Sequence, residues 1–182
     1  PLINIVTSAL IILGGIGYIV WWDVLRVVKS RSPKNRKIFR HLSLHSKIAI
    51  TVTAGLILVG AILIFIFEYA NPLTIGEMSL FDKIQISLFQ SVTTRTAGFA
   101  TIPQENLTNA SAAVSIILML IGGSPVGTAG GMKTVTIAVL ICSAFATIRN
   151  KNSATLFGRR ISEESIKKAV SVVVMFLTIC TT

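Results

Sequence analysis

The sequence predicts an all-α integral membrane protein made of repeated span–pore-loop–span units, each with a re-entrant pore helix and a broken second span. Three observations lead to this fold class. The 182 residues are 52% hydrophobic and only 13% charged, and several apolar runs reach the roughly 20 residues that cross a bilayer. Most cations lie in two short clusters beside those runs. Between the clusters, a short, partly polar segment and a glycine-containing polar stretch interrupt the apolar pattern.

The two basic clusters set the orientation of the chain. Residues 26–47 hold eight of the 17 Lys and Arg residues, and residues 149–168 hold six. Short basic loops beside apolar spans are cytoplasmic under the positive-inside rule. A net charge of +10 could also suggest nucleic-acid binding, but nucleic-acid domains are not this apolar. We therefore expect a multi-pass protein whose partner is the lipid bilayer and not a nucleic acid.

The chain divides into one complete repeat and parts of two others. The expected segments are the end of a preceding repeat with its second span (1–25), a basic cytoplasmic loop (26–47), a complete repeat (48–148), a second basic cytoplasmic loop (149–168) and the start of the next repeat's first span (169–182). Within the complete repeat we expect a span (48–67), a pore helix (80–93), a filter loop (94–99) and a broken span (110–148). Both ends lie inside apolar runs, so we expect a fragment of a longer chain.

Charge parity places the interruption of the last span at membrane depth. Residues between two cytoplasmic loops must cross the membrane an even number of times. At about 1.5 Å per residue, helix 80–93 is only about 21 Å long, too short to span. Residues 110–148 must then make one net crossing. Internal sequence similarity supports the repeat, because Leu10–Gly15 (LIILGG) resembles Leu118–Gly123 (LMLIGG) at an offset of 108 residues.

The filter loop, residues 94–99, has the chemistry of a cation site. Backbone carbonyls from a tight loop can replace the water shell of a monovalent cation, and Gly98 permits the unusual φ that such a loop needs. The hydroxyls of Thr94 and Thr96 could add oxygens. We expect residues 94–98 to bind the ion (Thr94, Arg95, Thr96, Ala97 and Gly98), with potassium at Thr94, Thr96 and Gly98. The Arg95 side chain should turn away from the pore and bond to carbonyls or a carboxylate behind the loop.

The Gly-rich loop, residues 122–131, is either a packing kink or a mobile gate below the filter. Its density of small residues favours the gate, since non-helical backbone at membrane depth is tolerated only beside protein or water. The expected gating residues are Gly122, Gly123, Ser124, Gly127, Thr128, Gly130, Gly131 and Lys133. A phosphate-binding loop is rejected, because Met132 stands where that motif needs glycine before the lysine. Lys133 could form a pore barrier, pair with a carboxylate or snorkel to the cytoplasmic side.

Two motifs resemble those of the Trk/Ktr/HKT superfamily of potassium transporters, and most closely the membrane subunits of bacterial Ktr systems. They are SVTTRTAGF at residues 91–99 and IGGSPVGTAGGMKT at residues 121–134. The resemblance implies four repeats around one pore, with Gly98 as the signature glycine of the third filter strand and residues 122–131 as its gating loop. It also implies a bacterial cytoplasmic membrane, a homodimer and a cytoplasmic nucleotide-binding regulatory subunit. The family usually has glycine where this chain has Val126.

The expected function is potassium uptake through a pore lined by backbone carbonyls and gated by the Gly-rich loop. No catalysis and no covalent cofactor are expected. The alternatives are a broken-helix permease for another small solute and a sodium-selective cation transporter. A serine hydrolase is weak, because Ser124 lacks the Gly-x-Ser-x-Gly frame and no histidine lies at membrane depth.

Overall fold

The computed structural model of the chain describes residues 2–29, 38–150 and 154–181. The fold is mostly helical. Its elements are α1 (Leu2–Gly15), α2 (Tyr18–Lys29), α3 (Ile38–His41), α4 (Leu44–Glu68), α5 (Leu80–Thr93), a 3₁₀ turn (Gln104–Asn106), α6 (Asn109–Leu120), α7 (Thr134–Ile148), β1 (Thr155–Leu156), β2 (Arg159–Arg160) and α8 (Glu163–Thr181). Residues 30–37 and 151–153 of the two basic loops, and the last residue of the expected final span, lie outside the described residues.

Helix α4 is the centre of the packing, because α2, α5, α6 and α7 all contact it. Among the described residues it is the one single helix long and apolar enough to cross a bilayer by itself. It begins at Leu44, ahead of the expected start at residue 48, because the Ser43 hydroxyl caps the helix by accepting from the Ser46 N–H at 3.2 Å. It ends at Glu68, whose side chain is fully buried.

The first apolar run is not the uninterrupted span that its hydropathy suggests. Helices α1 and α2 meet at an angle of 89° across a break of two residues. Gly17 has a φ of +85°, which ends the helical path at little steric cost only because the residue is glycine. The α1–α2 break, residues 14–17, is therefore a structural feature that uniform hydropathy conceals.

Helix α5 covers the residues expected for the pore helix, and α6 and α7 flank the Gly-rich loop. The side chain of Ser79 accepts from the Asp82 N–H at 3.3 Å at the start of α5, and Thr108 caps α6 through the Ser111 N–H at the same distance. Both are serine or threonine N-caps, the type that the sequence signals best. The roles of these helices as pore helix and broken span stay predictions.

The C-terminal segment departs from the expected basic loop and from a purely α fold. Strands β1 and β2 form a two-stranded antiparallel hairpin, and its two turn residues, Phe157 and Gly158, have φ values of +50° and +75°. Positive φ at both central positions is the geometry that matches the twist of paired strands. Helix α8 begins at Glu163, ahead of the expected residue 169, with the Ser162 hydroxyl accepting from the Ser165 N–H at 3.3 Å.

Candidate functional site

Helix α5 is fixed against α4 at both of its ends. Near its start, the Lys83 ammonium donates to the Tyr69 carbonyl at 2.9 Å and lies 4.1 Å from the centre of the Tyr69 ring. Near its end, the Ser91 hydroxyl donates to the Ile57 carbonyl at 2.8 Å. Hydroxyl bonds of this kind hold helices together where hydrophobic burial cannot. The C-terminal, partly negative end of α5 is thereby held at a defined place.

The filter loop leaves the helix by a tight turn. The Ala97 N–H donates to the Thr93 carbonyl at 3.0 Å, and both Thr96 and Gly98 have left-handed φ values, +68° and +79°. Gly98 was expected at such a position. Thr96 was not, because a β-branched residue with positive φ is a backbone outlier. Two left-handed residues so close together turn the chain sharply.

Two residues outside the predicted set hold this turn in shape. The Thr93 hydroxyl donates to the Phe99 carbonyl at 2.6 Å and accepts from the Phe99 N–H at 2.9 Å, which closes the loop at its base. Gln90 donates to the side-chain carbonyl of Gln104 at 2.6 Å and so ties α5 to the 3₁₀ turn. Sequence reasoning missed both residues, because the reach of each side chain depends on how the loop folds back.

The backbone carbonyls of the loop are its available ligands. Within the part of the chain that the structure describes, the carbonyl oxygens of residues 94–98 accept no hydrogen bond. The two hydroxyls already have protein partners: Thr94 donates to the Ser91 carbonyl at 3.1 Å, and Thr96 accepts from the Gly130 N–H at 2.8 Å. The geometry thus favours carbonyl oxygens over hydroxyls at Thr94 and Thr96. Potassium binding at Thr94, Thr96 and Gly98 stays a prediction.

The Arg95 side chain lies behind the loop and is 7% exposed. Its terminal nitrogen donates to the Gly122 carbonyl at 2.9 Å, which is a carbonyl partner of the expected kind. The guanidinium Nε is buried without a protein partner. No carboxylate among the described residues pairs with it. Arg95 therefore connects the filter loop to the first residue of the Gly-rich loop.

The two ends of the Gly-rich loop are joined by a β-bridge and by hydrogen bonds. Ile121 and Met132 form a parallel bridge, the Thr134 N–H donates to the Gly123 carbonyl at 3.1 Å, and the hydroxyls of Ser124 and Thr134 are 3.2 Å apart. Gly131 adds a positive φ of +70° beside the bridge. Helix α6 thus stops and α7 restarts at adjacent points, with the loop projecting between them.

The Lys133 ammonium has a partner that the sequence did not predict, and its role as a pore barrier stays a prediction. Its ammonium turns back and donates to the Ala129 carbonyl at 2.8 Å, within the Gly-rich loop. It pairs with no carboxylate of the described chain, and it is half-buried instead of extended into solvent. Lys133 therefore braces the loop internally.

The projecting part of the Gly-rich loop rests on the α1–α2 break. The Ser124 N–H donates to the Gly15 carbonyl at 2.9 Å, and the Thr128 N–H to the Gly14 carbonyl at 3.4 Å. At the tip, Val126 has a φ of +62° and a half-exposed side chain. A broken second span is expected of each repeat, but neither the position of this break nor its contact with the Gly-rich loop was predicted.

A cavity of about 250 Å³ lies where the three segments meet. Its walls come from α1, the filter loop and the Gly-rich loop, and include Ile12, Ala97 and Ala129. The filter loop and the Gly-rich loop therefore share one small space in addition to their direct hydrogen bonds.

Comparison with known proteins assigns the chain to a family. The sequence pattern of TrkH, described as a cation transport protein, matches residues 1–182. The chain belongs to the TrkH family of cation transport proteins. The expected resemblance to potassium transporters of this superfamily is confirmed.

Several curated relatives within the TrkH family are similar over nearly the whole chain. The Ktr system potassium uptake protein B of Bacillus subtilis is 37% identical over 179 residues, which is 98% of this chain and 38% of the relative. The potassium/sodium uptake protein NtpJ of Enterococcus hirae is 35% identical over 175 residues, 96% of this chain and 37% of that protein. The chain therefore spans well under half the length of these relatives.

A solved structure supports the fold. The potassium transporter TrkH from Vibrio parahaemolyticus superposes with a TM-score of 0.70 at 18% identity, covering 93% of this chain and 35% of that one. At this identity the likeness speaks for the mostly helical TrkH-family fold alone.

Proposed function

We propose that the full-length protein takes up potassium ions across the cytoplasmic membrane, through a pore whose filter includes the carbonyls of residues 94–98. The observation that carries this proposal is the run of carbonyls without hydrogen-bond partners among the described residues, set at the C-terminal end of a short helix. Carbonyl oxygens in such a loop replace the hydration shell of a monovalent cation. The helix end adds a favourable partial negative charge.

The Gly-rich loop is proposed to gate this pore. It is bonded to the filter loop at two points, through Arg95 to the Gly122 carbonyl and through Thr96 to the Gly130 N–H. A segment held this close to the filter can open or block the ion path by a small movement. Its low content of regular structure gives it the freedom to move.

The proposed assembly follows from the family relationship. One relative is named a potassium uptake protein of a Ktr system, and we propose a homodimer in a bacterial cytoplasmic membrane with a cytoplasmic nucleotide-binding regulatory subunit. One filter loop cannot surround an ion, so the full-length protein must supply the others. A sodium-conducting variant of the same mechanism is the second candidate, because the relative NtpJ is named a potassium/sodium uptake protein.

Replacing Gly98 tests the filter. The φ of Gly98 is +79° and a Cβ there meets nothing within 4 Å, so Gly98→Ser acts through backbone conformation and not through a clash. The left-handed conformation costs a non-glycine residue about 1–2 kcal/mol. We expect the loop to shift and the ratio of potassium to sodium uptake by the full-length protein to fall by roughly fivefold or more.

Gly158→Ser is the matched control, because Gly158 also has a left-handed φ, +75°, and equally open surroundings, but lies in the β-hairpin. It should leave the uptake ratio unchanged. If Gly98→Ser also left it unchanged, the filter assignment would be wrong. A wild-type ratio of potassium to sodium uptake below unity would instead favour the sodium-conducting candidate.

A further inference from the structure

The α1–α2 break and the Gly-rich loop are two interruptions that face each other. They occur at equivalent places in the two similar segments, 10–15 and 118–123, since Gly15 corresponds to Gly123 at the offset of 108 residues. The two interruptions are also in direct contact. The Gly14 and Gly15 carbonyls, freed where α1 ends, accept N–H groups from the Gly-rich loop. These carbonyls lack helical partners at that end, so the loop satisfies groups that would otherwise be unpaired at membrane depth.

Close backbone approach makes this contact specific. A Cβ on Gly17 would lie 2.6 Å from the Pro125 carbonyl oxygen and 3.1 Å from the Gly127 nitrogen. A Cβ on Gly127 would lie 2.8 Å from the Gly15 carbonyl oxygen. Real Cβ atoms essentially never come within 3.0 Å of backbone atoms, so a side chain at Gly17 or Gly127 would displace the partner's backbone. The complementarity is reciprocal: each break has a glycine where the other break's backbone passes.

We propose, given the gating role proposed above, that the α1–α2 break is the seat of the gate. Gly17 and Gly127 are positioning residues that allow the Gly-rich loop to dock against Gly14 and Gly15, and the docked loop is the one that blocks the ion path. The seat belongs to the preceding repeat, so the gate of one repeat is held by the broken span of another. Movement of α1 or α2 then shifts the gate directly, without passing through the filter.

The backbone strain at Val126, at the tip of the Gly-rich loop, is consistent with a docked state that the contacts of its neighbours maintain. Val126 has a left-handed φ of +62°, which is unfavourable for a β-branched residue. The loop retains this conformation where its two neighbours in the chain contact the seat. Undocking relieves the strain, which lowers the barrier to leaving the seat.

The test measures rubidium uptake into vesicles by the purified full-length protein without any regulatory subunit. Gly17→Ala and, separately, Gly127→Ala should push the loop off its seat and raise uptake on the order of fivefold, the factor for about 1 kcal/mol. Gly55→Ala and Gly158→Ala are controls, because both Cβ positions are open and Gly158 shares the positive φ of Gly17. If Gly17→Ala does not fold, Gly127→Ala decides, since no positive φ is involved there.

A deletion separates the seat from the gate. In a protein lacking residues 123–130, uptake should be high and Gly17→Ala should add nothing. A rise that persists in the deleted protein would mean that Gly17→Ala loosens the fold generally, and it would overturn the seat. If the deletion raises uptake but both intact-loop variants behave as the controls do, the seat is wrong and the gate stands. If the deletion itself leaves uptake low, the gating role fails as well.

Discussion

Thr96 is the residue that most directly connects the filter loop with the Gly-rich loop. Its left-handed φ of +68° is unfavourable for a β-branched side chain, yet its hydroxyl accepts the Gly130 N–H at 2.8 Å. A glycine would suit the backbone better, but it would lose this bond. The hydrogen bond to the Gly-rich loop therefore offsets the unfavourable backbone conformation of Thr96.

Exchanging the Thr96 hydroxyl tests this connection. Thr96→Val keeps the shape but removes the acceptor, leaving the Gly130 N–H without its partner at a cost of about 1 kcal/mol. We expect uptake by the full-length protein without its regulatory subunit to rise roughly fivefold, measured in vesicles. Thr96→Ser keeps the hydroxyl and should behave like the parent. Equal behaviour of the Val and Ser variants would exclude a role for this bond.

At the residue scale, the sequence indicated roles that depend on residue type better than roles that depend on tertiary contacts. Gly98 could be chosen because only glycine readily adopts positive φ, and Arg95 could be turned away because a guanidinium repels cations. Thr93 could not be distinguished from Thr94, since only the folded loop shows which hydroxyl reaches Phe99. Lys133 was assigned to three environments, and the Ala129 carbonyl that it binds was not among them.

At the scale of elements, a buried carboxylate joins the outer ends of the helices. Glu68 is fully buried at the end of α4. One of its oxygens accepts from Asn71 at 2.7 Å and Thr74 at 2.6 Å, and the other accepts from the N–H and the hydroxyl of Thr108, both at 2.8 Å. Because Thr108 caps α6, the Glu68 side chain ties together α4, the segment after it (residues 69–79) and α6.

Neutralising Glu68 should loosen that junction. In Glu68→Gln one acceptor oxygen becomes an NH₂ group facing donors, and a mispaired buried group costs about 1–3 kcal/mol. We expect a lower unfolding temperature for the full-length protein in detergent, followed by size-exclusion chromatography after heating. The exposed Glu77 provides the control, since Glu77→Gln should leave the temperature unchanged. Equal stability of the two variants would show that the junction does not depend on the carboxylate.

The helices that carry their own start signals and apolar length could be read from the sequence. Helix α5 is of this kind, because Ser79 caps it and its bounds are the expected ones, 80–93. Helix α4 was read from its apolar length, but the Ser43 cap that starts it at Leu44 was not. The position of the α1–α2 break could not be read, because Gly14, Gly15 and Gly17 lie in an otherwise uniform apolar run and glycine is common in membrane helices. The β-hairpin was hidden for a similar reason, since two-residue strands leave almost no periodic pattern.

At the scale of the whole molecule, the proposed function makes the chain one part of a larger pore. It covers 38% of the length of the Ktr system potassium uptake protein B of Bacillus subtilis, and it holds one filter loop and one Gly-rich loop. The four repeats that the family resemblance implies predict three further filter-like loops in the full-length protein. On the same proposal, the contact between the Gly-rich loop and α1–α2 would let one repeat influence its neighbour.

The most direct test of the central claim is anomalous diffraction from crystals of the full-length protein grown with rubidium, which substitutes for potassium. We expect a rubidium peak on the pore axis, in direct contact with the carbonyl oxygens of residues 94–98, and a weaker or absent peak in Gly98→Ser. The claim is contradicted if rubidium binds only elsewhere in the protein while these carbonyls face other protein groups.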